Sequence, residues 1–457
     1  MKSIGSSFRD PAGFIFSKNG IYFRNIKNSY EENYNRLLSS GLKNDLVKKR
    51  LMVDFSDVSD DFELDQDTYK VILPEQIPYI SYPYEWCFQQ LKDAALLTLQ
   101  IQKIAINRGM SLKDASAYNV QFIDNRPVFI DSLSFEEYSE GSPWVAYRQF
   151  CQHFLAPILL AKYIGIESLK LSQIFIDGIP LDYAAKQLPK KLLFRPSILI
   201  HIFLHSFSQK SNSSKSNFKV KSISRNSQVG MIDNLINLLE SVDLNNKKTE
   251  WGDYYSNTNY SVTASDNKLK IINHFIGIAK TKLLLDIGGN NGYFLRHIDD
   301  KKIKKTLFDI DHNAISDSYC YSKETKEINI SSFILDLTSP SPAIGWLNNE
   351  RQPFIDRASA DTIMALALIH HLSISNNLPF SLVAKFFKRL SPKYLIIEFV
   401  PKSDSQVELL LKTRRDIFPY YDKDNFEKEF SQFFNILEKK AIEGSQRFLY
   451  LMKNNEK

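Results

Sequence analysis

The feature that most constrains this chain is the stretch Leu283-Leu284-Leu285-Asp286-Ile287-Gly288-Gly289-Asn290-Asn291-Gly292. An apolar run of strand length stops at a glycine-rich turn, and helix-compatible residues resume near Tyr293. That order reads as the first strand-turn-helix unit of a parallel α/β sheet. Gly288 supplies the tight turn, and Gly292 lets the helix pack close to the strand. A pyrophosphate-binding turn wants G-x-G-x-x-G so that backbone amides can meet the phosphates at the helix N-terminus. Here Asn290 holds the second glycine position, and the Asp286 carboxylate stands where phosphates would approach. The pattern therefore predicts a cationic ligand whose ammonium Asp286 can receive.

The grammar downstream supports that unit. Apolar strands are predicted at 282–287, 305–310, 332–335, 361–366 and 394–399, separated by helix-length segments, as in a parallel doubly wound sheet. Two further strands at 433–439 and 447–452, joined by Glu443-Gly444-Ser445, predict a closing antiparallel edge hairpin. Asp309 ends the second strand, where it can accept from both ribose hydroxyls, with Ile310 beside it. Asp336 ends the third strand, where it can meet an adenine amino group, with Leu337 beside it. Ligands of open α/β sheets sit at the carboxyl ends of strands, so Asp286, Asp309 and Asp336 are expected in one cleft, with Ala365 of the fourth strand as a further wall. Singly, each acid reads equally well as a helix cap or turn residue.

From about Trp251 to Lys453 this pattern resembles motif I and its successors in class I S-adenosylmethionine (SAM)-dependent methyltransferases. The resemblance implies a Rossmann-like sheet, SAM as cofactor, and an aromatic lead-in, Trp251 to Ser261, in which Tyr260 covers the cofactor; a packed aromatic turn is the alternative. The segment Ala365-Leu366-Ala367-Leu368-Ile369-His370-His371-Leu372 resembles the stretch after the fourth strand in many small-molecule methyltransferases, where a histidine faces the substrate. Methyl transfer needs an aligned acceptor and a base that is neutral near physiological pH, which suits His371 or His370. One of them could instead cap the turn while the other packs. Glu398, ending the fifth strand, is a third candidate, or else a partner for Lys402 or Arg414.

The first 205 residues are organised differently. A hairpin is predicted over Gly13–Ile26 around Asn19-Gly20, helix over Tyr30–Val53 and Phe88–Arg108, strands at Tyr69–Leu73 and Tyr79–Tyr82, and a strand pair around Asp124-Asn125. The stretch Asp114-x-x-x-x-Asn119, a hairpin, then an apolar strand ending in Asp131 resembles the catalytic loop and metal-binding acid of kinase-like domains. The resemblance implies Asp114 as base, with Asn119 and Asp131 as metal ligands only if that reading holds; otherwise no metal is expected. Leu112 stands where that family has His, Ser132 follows the acid, no glycine-rich phosphate loop precedes, and Arg24 is the nearest basic residue. Capping of turns by Asp114 and Asn119 is the plain alternative.

Segments such as FRDPAGFIF, DASAYNVQFIDNRPVFIDSLSF and IEFVPKSDSQV are similar to a bacterial family of two-part methyltransferases that includes nodulation protein NoeA. The similarity covers nearly the whole chain and implies a small-molecule or glycan acceptor. The 457 residues divide, on this reading, into an N-terminal α+β domain (1–205), a Ser/Asn/Lys-rich linker (206–230) and a methyltransferase domain (231–457). Three scattered cysteines exclude a disulfide framework, a formal charge of +6 is too mild and unpatterned to imply nucleic acid, so none is expected as a partner, and no apolar run is a signal peptide or membrane span, so a cytoplasmic protein is expected. The expected function is methyl transfer, with the N-terminal domain recognising acceptor or regulating access. A bifunctional kinase–methyltransferase acting on a saccharide and a non-catalytic SAM-binding module are the alternatives.

Overall fold

Asn19 and Gly20 both adopt positive φ (55° and 78°), the mirror-turn geometry whose twist matches that of the flanking strands, and they join β1 (Gly13–Lys18) to β2 (Ile21–Lys27). The computed structural model describes residues 4–206, 222–244, 262–390, 392–412 and 415–455. The chain divides into two compact units, Met1–Asn245 with Ala343–Gln352, and Asn246–Pro342 with Pro353–Lys457.

In the first unit β3 (Phe55–Asp57) and β4 (Thr68–Pro74) complete an antiparallel sheet ordered β1-β2-β4-β3. The expected helix over 30–53 is two short helices, Glu31–Ser39 and Leu42–Lys48, broken where Gly41 takes φ 76°. Tyr79–Tyr82 is not a strand: its Ser81 backbone is held by the buried Gln121 side chain instead of a ladder. The Phe88–Asn107 helix is buried along most of its length and stops at Gly109, φ 70°. Behind it come β5 (Met110–Leu112), the hairpin β6 (Val120–Ile123) and β7 (Arg126–Phe129), and β8 (Phe135–Glu137), which pairs back onto β5.

The polar stretch expected as a linker to residue 230 ends sooner. Ser224 caps a helix, Arg225–Glu240, whose Gln228, Ile232 and Leu235 are buried in this unit. The excursion Ala343–Gln352 also belongs here. Glu350 pairs with Arg9 at 2.7 Å, the Arg351 guanidinium lies 4.0 Å from the centre of the Tyr118 ring, and the Gln352 N–H donates to the Tyr82 hydroxyl.

The second unit is built on β9 (Leu283–Ile287), β10 (Lys304–Asp309), β11 (Ile330–Ile334), β12 (Thr362–Ala365), β13 (Tyr394–Phe399), β14 (Phe434–Ala441) and β15 (Phe448–Asn454), ordered β11-β10-β9-β12-β13-β15-β14. The first five are mutually parallel; β15 runs antiparallel to both neighbours. The α/β fold with a parallel sheet and a reversed strand near one edge is thus as expected. The reversed strand lies one position in from the edge, because the final hairpin inserts its second arm against β13. Strand order reverses between β9 and β12, and such a switch point leaves a crevice beyond the carboxyl ends of the strands. Among the described residues, no helix is long and apolar enough to cross a membrane.

Candidate functional site

A cavity of about 360 Å³ lies at that switch point. Its floor is the turn after β9. Gly288 has φ 75°, and a Cβ there would come within 2.9 Å of Leu368. A Cβ on Gly289 would stand 2.3 Å from Asp286 Oδ2 and 2.5 Å from Leu307, so no side chain fits. The Asn290 N–H donates to Asp309 Oδ2 (2.7 Å) and the Asp311 N–H to Asp309 Oδ1 (2.9 Å). Asp309 therefore ties the glycine turn to the end of β10 while keeping free lone pairs on both oxygens.

Asp286, Asp309 and Asp336 all line this cavity, together with Gly288, Asn290, Ile310 and Leu337. Asp286 is buried, and its Oδ1 has no hydrogen-bond partner among the described residues. Burial first, and the Asp309 charge second, push its carboxyl up to about 7, against the pull of Lys268. Burial likewise raises Asp309. Asp336 sits at the rim, accepting from the Thr338 N–H and hydroxyl at 2.9 and 2.6 Å. An orphaned buried carboxylate oxygen beside a turn that admits no Cβ is the acceptor a ligand ammonium requires.

Other expected residues lie elsewhere. Gly292 shapes the turn (φ 80°) without lining the cavity, and Ala365 is buried inside β12, so Leu366 and Ala367 form the wall instead. Tyr260 and the aromatic lead-in lie outside the described residues. Of the two histidines, His371 faces the cavity. His370 is 1% exposed with its ring 4.1 Å from that of His371. Burial, then the Arg447 charge, lowers His371 to about 4; burial takes His370 well below its usual range. Both are neutral at physiological pH.

Glu398 does not face the cavity. It is fully buried; Lys402, one expected partner, pairs instead with Asp416, and Arg414, the other, lies outside the described residues. Its Oε2 receives Lys268 Nζ (2.6 Å) and the Ala367 N–H (2.8 Å), and Arg447 lies 3.4 Å from Oε1. Arg447 in turn makes a two-pronged pair with Asp404. Glu398 thus fixes the turn after β12, where Ala367 adopts φ 48°, and anchors a lysine in the cavity wall. Lys268 itself went unanticipated. It projects from the Val262–Ala279 helix over the Phe294 ring, 4.4 Å from its centre.

In the first unit Asp114, Asn119 and Asp131 also converge. Burial, then the Asp131 charge, raises Asp114. Asp131 Oδ1 is held by Arg24 (2.9 Å), which also grips Asp10 (2.6 Å). Asp131 Oδ2 accepts from the Ser134 hydroxyl (2.6 Å), and Asn119 donates to the same Ser134 oxygen (3.0 Å).

No family model matches the chain. Nodulation protein NoeA of Rhizobium meliloti (strain 1021) is 32% identical over 462 residues, spanning 99% of this chain and 96% of that protein. The chain belongs to the NoeA family. Three solved structures match part of this NoeA-family chain. WbdD, a bifunctional kinase-methyltransferase, matches over 44% of this chain and 42% of its own at 13% identity and a TM-score of 0.33. Magnesium protoporphyrin IX methyltransferase (ChlM) from Synechocystis PCC 6803, with bound SAH, matches over 45% of this chain and 93% of its own (13%, TM-score 0.32). The N-methyltransferase NodS from Bradyrhizobium japonicum WM9 matches over 43% and 99% (12%, TM-score 0.30). The fold assignment of the NoeA-type second unit rests on its own strand order.

Proposed function

We propose that this chain is a SAM-dependent methyltransferase acting on a small-molecule or glycan acceptor. The observation that carries the reading is the convergence of Asp286, Asp309 and Asp336 with the Gly288-Gly289 turn on one cavity at the sheet's switch point. SAM, when bound, supplies a methyl group on a cationic sulfur. Asp286 would receive the ammonium, Asp309 the ribose hydroxyls and Asp336 the adenine amino group. Leu366, Ala367, Leu368 and Leu372 give the remaining wall an apolar character that excludes water from the reacting centre. His371, neutral and facing the same cavity, would orient the acceptor and take its proton through a ring nitrogen. His370 would pack behind it, and Glu398 would act as a positioning residue for Ala367 and Lys268.

For the first unit we favour acceptor recognition over phosphotransfer. Arg24 and Ser134 already engage both oxygens of Asp131, the acid a kinase would give to its metal. The test is incubation of the full chain with methyl-labelled SAM and fractionated bacterial extract, alongside calorimetric SAM titration. SAM binding with label in a small-molecule or saccharide fraction is expected. Absence of SAM binding refutes the reading, and binding without transfer to any fraction favours a non-catalytic module.

A further inference from the structure

The surface of the first unit carries an apolar stripe with no internal purpose. Pro196–Ile198 and Leu199–Leu204 form one continuous helical stretch, the latter with wide π-type turns. Its inner face buries Ile198, His201 and Ile202, and its outer face exposes Ile200 and Leu204, each at 51%. Just before it, Phe194 ends a short 3-10 turn and is 90% exposed. Burying these side chains in the fold would have been favourable by about 1.5–3 kcal/mol each, so their outward display needs a partner.

Along the sequence of the stripe itself, from Lys190 to Leu204, the charged side chains are all cationic. Lys190, Lys191 and Arg195 flank Phe194, all exposed and making no ion pair among the described residues. No acidic residue occurs between Asp182 and Ser206. A purely cationic patch would suit any polyanion, but two aliphatic side chains one helical turn apart add nothing to phosphate binding in water. Cations beside an outward Phe-Ile-Leu stripe match an interface that offers negative headgroups with hydrocarbon beneath them.

We propose that the face formed by Lys190, Lys191, Phe194, Arg195, Ile200 and Leu204 docks reversibly on an anionic lipid surface, with Phe194 entering the headgroup–acyl boundary. This brings the chain to acceptors presented at a membrane. The inference stands apart from the methyltransferase reading, since docking needs neither cofactor nor acceptor.

The experiment is vesicle co-sedimentation of the full chain, using neutral phosphatidylcholine and the same lipid with about 30 mol% phosphatidylglycerol, at low and high salt. Binding to the anionic vesicles alone, weakened by salt, is expected. The double change Lys190→Gln, Lys191→Gln should lower partitioning about thirtyfold, at roughly fivefold for each cation. Phe194→Ser with Ile200→Ser should lower it about tenfold or more. All four positions are exposed, and unchanged thermal melting confirms folding. Failure of the wild-type chain to bind anionic vesicles overturns the proposal, as does binding by both variants equal to that of the wild type. A concentration-dependent dimer that Phe194→Ser dissociates, without vesicle binding, assigns the face to a second copy and equally overturns it.

Discussion

Asp286 makes the proposed SAM site a proton-linked one. Burial and the neighbouring Asp309 hold its carboxyl at about 7, where an ordinary aspartate titrates near 3.8. Folding therefore keeps a proton that the unfolded chain has released between about pH 4 and 7. Stability contributed by this group falls as pH rises through that window, and above pH 7 the ionised form costs on the order of 4 kcal/mol. A ligand ammonium is the counter-charge that offsets this cost. At pH 6 only about a tenth of the carboxyl is ionised without ligand, so affinity should be about tenfold weaker than its plateau, or ~1.4 kcal/mol. The window to examine is pH 5.5–7.5, below the range where an α-amino group itself loses its proton, about 7.7–8.0. Calorimetric SAM titration across it should show affinity rising with pH toward a plateau, with proton release. Asp286→Asn should abolish that slope and weaken binding. The same change should raise the ligand-free melting temperature at pH 8, because the uncompensated buried charge is gone. A flat affinity profile in the wild type, or SAM binding by Asp286→Asn equal to wild type, refutes the reasoning.

Further outcomes follow from the same geometry. Gly289→Ala, whose Cβ would meet Asp286 Oδ2 at 2.3 Å, should displace that carboxylate and eliminate measurable SAM binding, while circular dichroism shows the sheet retained. Asp309→Asn loses one backbone acceptor and the charge, and calorimetry should show affinity lower by about tenfold. His371→Ala should reduce methyl transfer about 10²–10⁴-fold with SAM affinity unchanged. With His371 at about 4, wild-type turnover should show no histidine titration above pH 5, and an inflection near 6.5 would argue against this assignment. Lys268→Met should destabilise the chain by about 3–5 kcal/mol in denaturant melts through the exposed cost of Glu398, and Lys268→Met with Glu398→Gln should recover much of it.

How far the sequence reveals the molecule depends on how local each determinant is. The seven-stranded sheet is legible because its strands are apolar runs punctuated by glycine and acid, and the Asn19-Gly20 hairpin because the turn demands positive φ. The three strand-end acids are legible for the same reason: topology places all parallel strand ends on one side. What escapes is whatever a distant element decides. Glu398 and Asp309 both end strands, yet Glu398 turns inward because Lys268 and Arg447 wait for it from elements 130 and 49 residues away. Tyr79–Tyr82 has strand composition, but a side chain, Gln121, takes its hydrogen bonds. Lys268 did leave a trace. Ala264, Lys268, Ile272 and Phe275 follow helical spacing and all are buried, so a lysine within an apolar stripe signals an internal carboxylate.

The buried charges around the cavity are distributed unequally, and that inequality favours one ligand charge. Glu398 is shared by Lys268 and Arg447, and Arg447 is also engaged with Asp404. Both cations are thereby committed to the carboxylates behind the wall. Asp286 and Asp309, in front of it, are raised by burial; Asp309 accepts from backbone amides, and Asp286 Oδ1 has no hydrogen-bond partner among the described residues. Had Lys268 reached Asp286 instead, the site would have been neutral and closed to an ammonium. Because Glu398 holds the lysine back, the cavity stays electronegative and discriminates by charge. A donor bearing both an ammonium and a sulfonium is then favoured over its demethylated thioether product, which carries one positive charge fewer. On this logic Glu398→Gln, by releasing Lys268 toward Asp286, should narrow the difference in affinity between SAM and its demethylated product. Equal discrimination by wild type and Glu398→Gln in parallel calorimetric titrations would show that the lysine's commitment to Glu398 does not set the charge of the site.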